Sequence, residues 1–193
     1  MEQYDAIARV IAEQVVSETY RDQMIPCKPA DVKAADDACA RQFLSAVGRL
    51  LTRRPLTDGS IRAHVSAAHA GAAATRDFYK GLGLSLAAML SSPQFLFRDA
   101  ELEADPAAKG GWRLDPYAKA SQLAFFLWNA GPDLQLMAAA EKGELSTGKG
   151  LERHVDRMIA SPRLESGVRA FFIDNFGFDE FADLTKDAVL FPK

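Results

Sequence analysis

Cysteine is scarce in this chain of 193 residues: there are two, Cys27 and Cys39. Neither belongs to a Cys-x-x-Cys or Cys-x-x-Cys-His pattern, so no thioredoxin-type motif and no covalent haem attachment is encoded. Positive charge is not in excess. Lys and Arg number 23 against 26 Asp and Glu, a net charge of -3, which argues against general nucleic-acid binding because that function needs a basic stripe. No apolar run approaches the roughly 20 residues of a membrane span; the longest candidates lie around Leu82–Leu90 and Leu123–Trp128. The opening Met1-Glu2-Gln3-Tyr4-Asp5 is polar and acidic where a signal peptide needs a basic and then an apolar stretch. Two readings follow: a cytoplasmic protein, or a piece of a longer exported chain.

Catalytic signatures are equally thin. Of the three histidines, His64 and His69 are spaced so that they do not share a helix face. There is no His-Glu-x-x-His, no Gly-x-Ser-x-Gly and no glycine-rich phosphate loop. Gly81-Leu82-Gly83 falls inside a helical pattern and reads as packing. The expectation is therefore no catalytic residue, no metal site and no cofactor in this chain, with the histidines on solvated helix faces.

What is present is helical periodicity on a composition 48% hydrophobic. Ile7, Val10, Ile11 and Val15 share one face of a first helix that Pro26 and Pro29 end. A second starts near Asp36-Asp37, which can cap it, and carries Phe43, Leu44, Val47, Leu50 and Leu51 inward. Pro55 breaks it, Thr57 caps a third, and Gly71 separates that from a fourth over Thr75 to Ser91, with Phe78, Leu82, Leu86, Met89 and Leu90 buried. Asp115-Pro116 opens a fifth helix, which runs through Trp128 to a stop at Gly131-Pro132. Asp133 caps a sixth, Ser146 or Thr147 a seventh, and Pro162 starts an eighth. The expected fold is all-α: about eight helices in an irregular bundle, divisible into two helical subdomains. Residues 1–100 would form the first and 113–193 the second, with 101–112 a polar linker. Phe176, Phe178, Phe181, Leu190 and Phe191 are too many apolar groups for a free end and should pack on this or a following domain.

Cys27 and Cys39 flank a polar, proline-containing stretch. A disulfide there would be worth about 3 kcal/mol on the chain-entropy account; two unrelated thiols is the other reading. Four polar positions adjoin strong apolar groups: Arg53-Arg54, Arg98, Asn129 after Trp128, and Asp133 after Gly131-Pro132. Asp133 can be a helix cap, and Arg54 or Arg98 can bind carbonyls at a helix end. Alternatively, Arg98, Trp128, Asn129 and Asp133 line a candidate pocket between helices.

Four segments together resemble a known family. They are "PCKPADVKAADDACARQFLSAVGRLLTRRPLTD", "GLGLSLAAMLSSPQFLFRDAE", "RLDPYAKASQLAFFLWNAGPDLQLMAAAEKGEL" and "MIASPRLESGVRAFFIDNFGFDEFADLTKDAVLFPK". The resemblance is to bacterial exported multi-domain proteins carrying domain of unknown function fifteen-ninety-two and its companion domains, and it covers about residues 20–193. It implies a periplasmic or cell-surface location, an oxidised Cys27–Cys39 pair and membership of a longer chain, some of whose relatives are associated with redox proteins. Partners would be the remaining domains or another protein. Where such relatives commonly have arginine and serine in an Ala-Ser-Arg-Leu-Ser pattern, this chain has Gln122 and Ala124, which removes those polar groups from any shared role.

Overall fold

The computed structural model describes residues 2–98 and 100–178. The expected packing of Phe181, Leu190 and Phe191 lies outside the described residues. The fold is predominantly α-helical, and the chain divides into two compact units between Asp99 and Ala100.

The first unit contains α1 (Glu2–Val16), α2 (Arg21–Met24), α3 (Asp37–Thr52), α4 (Asp58–Thr75), α5 (Phe78–Leu90) and α6 (Pro93–Leu96). Its starts are set by side-chain caps. Asp36 accepts from the Cys39 N–H, Thr57 from Ser60 and Asp77 from Lys80, each satisfying an otherwise orphaned donor. The core centres on α5, where Phe78, Leu82, Leu86 and Met89 are almost completely buried. Burying a side chain of that size contributes about 1.5–3 kcal/mol.

Gly71 does not separate two helices. It lies inside α4, and α5 begins after the break at Arg76-Asp77. The glycine serves a close helix crossing: a Cβ on Gly71 would meet the Gly81 Cα at 3.0 Å, and one on Gly81 would meet the Ala72 nitrogen at 2.4 Å. α1 turns its small residues inward. Ala8 and Ala12 are its buried residues, while Ile7, Val10 and Ile11 are exposed. α1 packs on α5 close to Gly83, where a Cβ would lie 3.3 Å from the Val16 side chain and 3.9 Å from the Ala12 carbonyl oxygen. In α3, Phe43 and Leu44 are buried as expected, but Leu50 is exposed.

The second unit begins with an antiparallel hairpin, β1 (Leu102–Ala104) and β2 (Trp112–Leu114), within and just beyond the segment read as linker. Leu102 pairs with Leu114 and Glu103 with Arg113, and the Arg113 Nε donates to Glu103 at 2.6 Å. Strands of three residues are too short to show alternation in sequence. There follow α7 (Pro116–Trp128), α8 (Leu134–Glu141), a 3-10 turn (Glu144–Ser146), α9 (Gly148–Ile159) and α10 (Leu164–Phe176). Asp115, Asp133 and Thr147 cap α7, α8 and α9. Ala120, Ala124, Trp128, Leu136, Leu145 and Met158 form the core of this unit.

Candidate functional site

α7 does not run to Gly131-Pro132. It stops at Asn129, which adopts a left-handed conformation (φ 50°) and donates its N–H to the Phe125 carbonyl at 3.0 Å. Asparagine tolerates this C-terminal position better than most residues, so Asn129 ends the helix itself, and its side chain lies at the surface. The early stop places Trp128 on the last turn, pointing inward and 2% exposed. Its indole N–H donates to the Met158 carbonyl of α9 at 3.0 Å. The guanidinium of Arg157 lies 5.5 Å from the Trp128 ring and that of Arg163 5.2 Å, within cation–π range.

Asp133 accepts three hydrogen bonds from two partners. Its Oδ1 accepts the Leu136 N–H at 2.8 Å, and the Arg157 fork donates to Oδ2 at 2.7 Å and to Oδ1 at 3.1 Å. Burial pushes the carboxyl up, but the Arg157 hydrogen bonds and the Leu136 N–H outweigh it and hold it below its ordinary value. Arg157 therefore joins Trp128 to Asp133. Of the four residues read as a pocket edge, these two share a partner, Asn129 adjoins them at the surface, and the exposed Arg98 belongs to the other compact unit.

A neighbouring polar cluster could not be read from spacing. His154 is buried, not a solvated helix-face residue, and its Nε2 donates to the Glu144 carboxylate at 3.1 Å. Arg153 reaches the same Glu144 oxygen. The His154 bond, opposed by desolvation and helped by the Arg153 charge, holds the Glu144 carboxyl below its ordinary value. The His154 Nδ1 is buried without a hydrogen-bond partner. Trp128 and Asp133 stood out in the sequence; for the Glu144–His154 cluster the signal was α9 itself, where His154, Arg157 and Met158 recur at i, i+3 and i+4. The structure places no group of three or more His, Cys, Asp or Glu with metal-binding geometry among the described residues.

In the first unit Arg53 serves two helix ends. Itself left-handed (φ 60°) at the C-terminus of α3, it donates to the carbonyls of Gln94 at 2.6 Å, Phe97 at 2.7 Å, and Phe95 and Leu51 at 3.2 Å. Cys27 and Cys39 form a disulfide with their Cα atoms 5.6 Å apart. A cleft of about 510 Å³ runs along the charged flank of α1, lined by Arg9, Glu13, Arg21, Asp77, Tyr79 and Lys80 among others. Its charges are balanced, and Arg21 is already engaged over the Tyr79 ring at 4.4 Å.

The second unit also carries an exposed apolar surface. On α10 and just beyond it, Phe171, Phe172, Phe176 and Phe178 are all exposed and follow one another in ring contact at centroid distances of 5.4, 5.7 and 5.5 Å. Val168 and Ile173 extend the apolar surface.

Capped helices, a half-buried Arg157–Asp133 ion pair and a disulfide describe a helical chain in which these polar groups hold structure. Two family models match the chain: PSD4, protein of unknown function (DUF1592), over residues 114–193, and PSD5, protein of unknown function (DUF1595), over residues 39–99. The chain thus carries the domain of unknown function and the companion domain that its motifs resembled. No curated protein and no solved structure matches it. Among the described residues no helix is long and apolar enough to cross a membrane.

Proposed function

We propose that this chain is a non-catalytic, all-α structural and interaction module of a larger exported bacterial protein, working in the periplasm or at the cell surface. The aromatic face of α10 carries the reading. Four contiguous exposed phenylalanines are unfavourable in water and are characteristic of a surface that another protein covers. The remaining domains of the same protein are its proposed occupant. The Cys27–Cys39 disulfide supports an oxidising compartment. The conspicuous polar residues support the non-catalytic part: Asp133 caps α8 and pairs with Arg157, Arg53 binds helix carbonyls, and Trp128 fills a core.

The natural reading frame tests the first half, since an export signal and further domains on the same chain are expected. Binding of this chain to those domains tests the second. The double change Phe171→Ser and Phe176→Ser should weaken binding at least tenfold with the fold intact, because both side chains are already in water. Unchanged binding, or turnover by the isolated chain on a panel of hydrolase and oxidoreductase substrates, would overturn the proposal.

A further inference from the structure

On the side of α1 away from the charged cleft, α1 and α3 stand apart over α5. The gap is a groove of about 370 Å³ floored by Leu86 and Leu90 and walled by Ile11 and Val15 on one side and by Val47 and Leu50 on the other. None of the residues lining it is charged. A groove of this kind takes an amphipathic helix with an apolar seam at i, i+3, i+4 and i+7.

This chain presents such a seam at the lip of the groove. Tyr4, Ile7, Val10 and Ile11 are 58%, 57%, 55% and 41% exposed, and their spacing puts them on one face of α1. Gln3 and Gln14 continue that face without charge, whereas Glu2, Asp5, Arg9 and Glu13 lie around the helix from it. The seam is 15 residues long at most and the facing wall, α3, has 16, so lengths match at about 22 Å.

We propose that the groove is filled by α1 of a second copy of this chain, in a two-fold dimer where each copy inserts its seam and offers its groove. A two-fold contact uses one patch twice, so a single arrangement covers both the seam and the groove. Scaled from typical interfaces, the groove residues and the rest of the seam bury roughly 1,000 Å² in total, the low end for specific association, so dimerisation should depend on concentration. This interface lies in the first unit and is independent of the α10 surface.

Sedimentation equilibrium of the whole chain tests it. At about 100 μM the mass should approach twice the 21.0 kDa of one chain and fall on dilution. The double change Ile7→Glu and Val10→Glu, or Leu50→Glu alone, should weaken dimerisation at least tenfold while helicity by circular dichroism is retained, since all three side chains are exposed. Glu13→Lys, on the charged flank, should leave it unchanged. A monomer at every concentration, including one whose groove binds an added apolar peptide, overturns the proposal. So does a dimer that survives both the seam and the groove changes, or one that Glu13→Lys disrupts equally.

Discussion

The indole N–H of Trp128 donates to the Met158 main-chain carbonyl at 3.0 Å in the interior of the second unit, fastening the end of α7 to α9. The bond matters because neither group has water available. Trp128→Phe keeps an aromatic ring but leaves a buried carbonyl without this donor, at a cost of about 1–3 kcal/mol. Trp128→Ala adds a cavity and should cost about 3–5 kcal/mol. Thermal or urea unfolding measures both. A Phe variant as stable as the parent would mean that the ring alone, and not its N–H, holds the two helices.

Asp133 should make this unit acid-sensitive. Its carboxyl is held below the ordinary 3.8 in the folded state, with Arg157 and the Leu136 N–H overcoming the effect of burial. The unfolded chain therefore takes up this proton at higher pH than the folded one. The stabilisation is fully present above the unfolded value and is lost as pH falls through the folded value. Unfolding midpoints measured from about pH 5 downward should drop less steeply in Asp133→Asn than in the parent. Asn can still cap α8, so that variant isolates the Arg157 pairing, whereas Asp133→Ala should cost about 1 kcal/mol more through the lost cap. Parallel pH profiles for the parent and Asp133→Asn would refute the assignment.

The helix starts were legible because caps are local. Asp36, Thr57, Asp115 and Asp133 each needed only a side chain next to a periodic run. The stop of α7 was misread because Gly131-Pro132 is the stronger written signal, while Asn129 ends the helix by its own backbone conformation. Which face of α1 turns inward was not legible, for a different reason. Ala8 and Ala12 form a second apolar face, and choosing between it and the isoleucines depends on how closely α5 approaches at Gly83, a tertiary fact. The Glu144–His154 and Asp133–Arg157 pairs join residues 10 and 24 positions apart across turns, so no fixed spacing marks them. Of the proposed pocket edge, sequence did find Trp128 and Asp133, but the arginine linking them was visible only in three dimensions.

Arg53 should be hard to replace even by lysine. Its planar guanidinium donates to four carbonyls at the ends of α3 and α6, and an ammonium group cannot reproduce that fork. Arg53→Lys should cost about 1–3 kcal/mol by losing charged hydrogen bonds. Arg53→Gly keeps the left-handed backbone at ease and removes the donors, so it should be at least as damaging. If glycine proved the more stable of the two, backbone strain rather than carbonyl binding would dominate at this site.

The disulfide closes the loop leading into α3, where Cys39 is buried and Asp36 caps the helix. Reduction should remove about 3 kcal/mol, because the unfolded chain regains the freedom of that loop. Hydrogen exchange under a mild reductant should quicken in α3 and leave α7–α9 as they were. Uniform quickening in both units would show that the bridge stabilises more than its own unit.

Gly167 fixes how α10 carries its aromatic face. A Cβ there would lie 2.1 Å from the Leu127 carbonyl oxygen and 3.0 Å from the Trp128 nitrogen, both backbone atoms that no rotamer change can move aside. Alanine is the better helix former in isolation by about 1 kcal/mol, so propensity and packing oppose each other at this position. Contact at that distance is repulsive enough to win, and overpacking of this kind costs about 1–3 kcal/mol. Gly167→Ala should therefore destabilise the second unit and loosen α10, raising proteolysis or amide exchange between Leu164 and Phe176 before the rest of the unit responds. A more stable alanine variant would show that α10 does not lie against the end of α7 in solution.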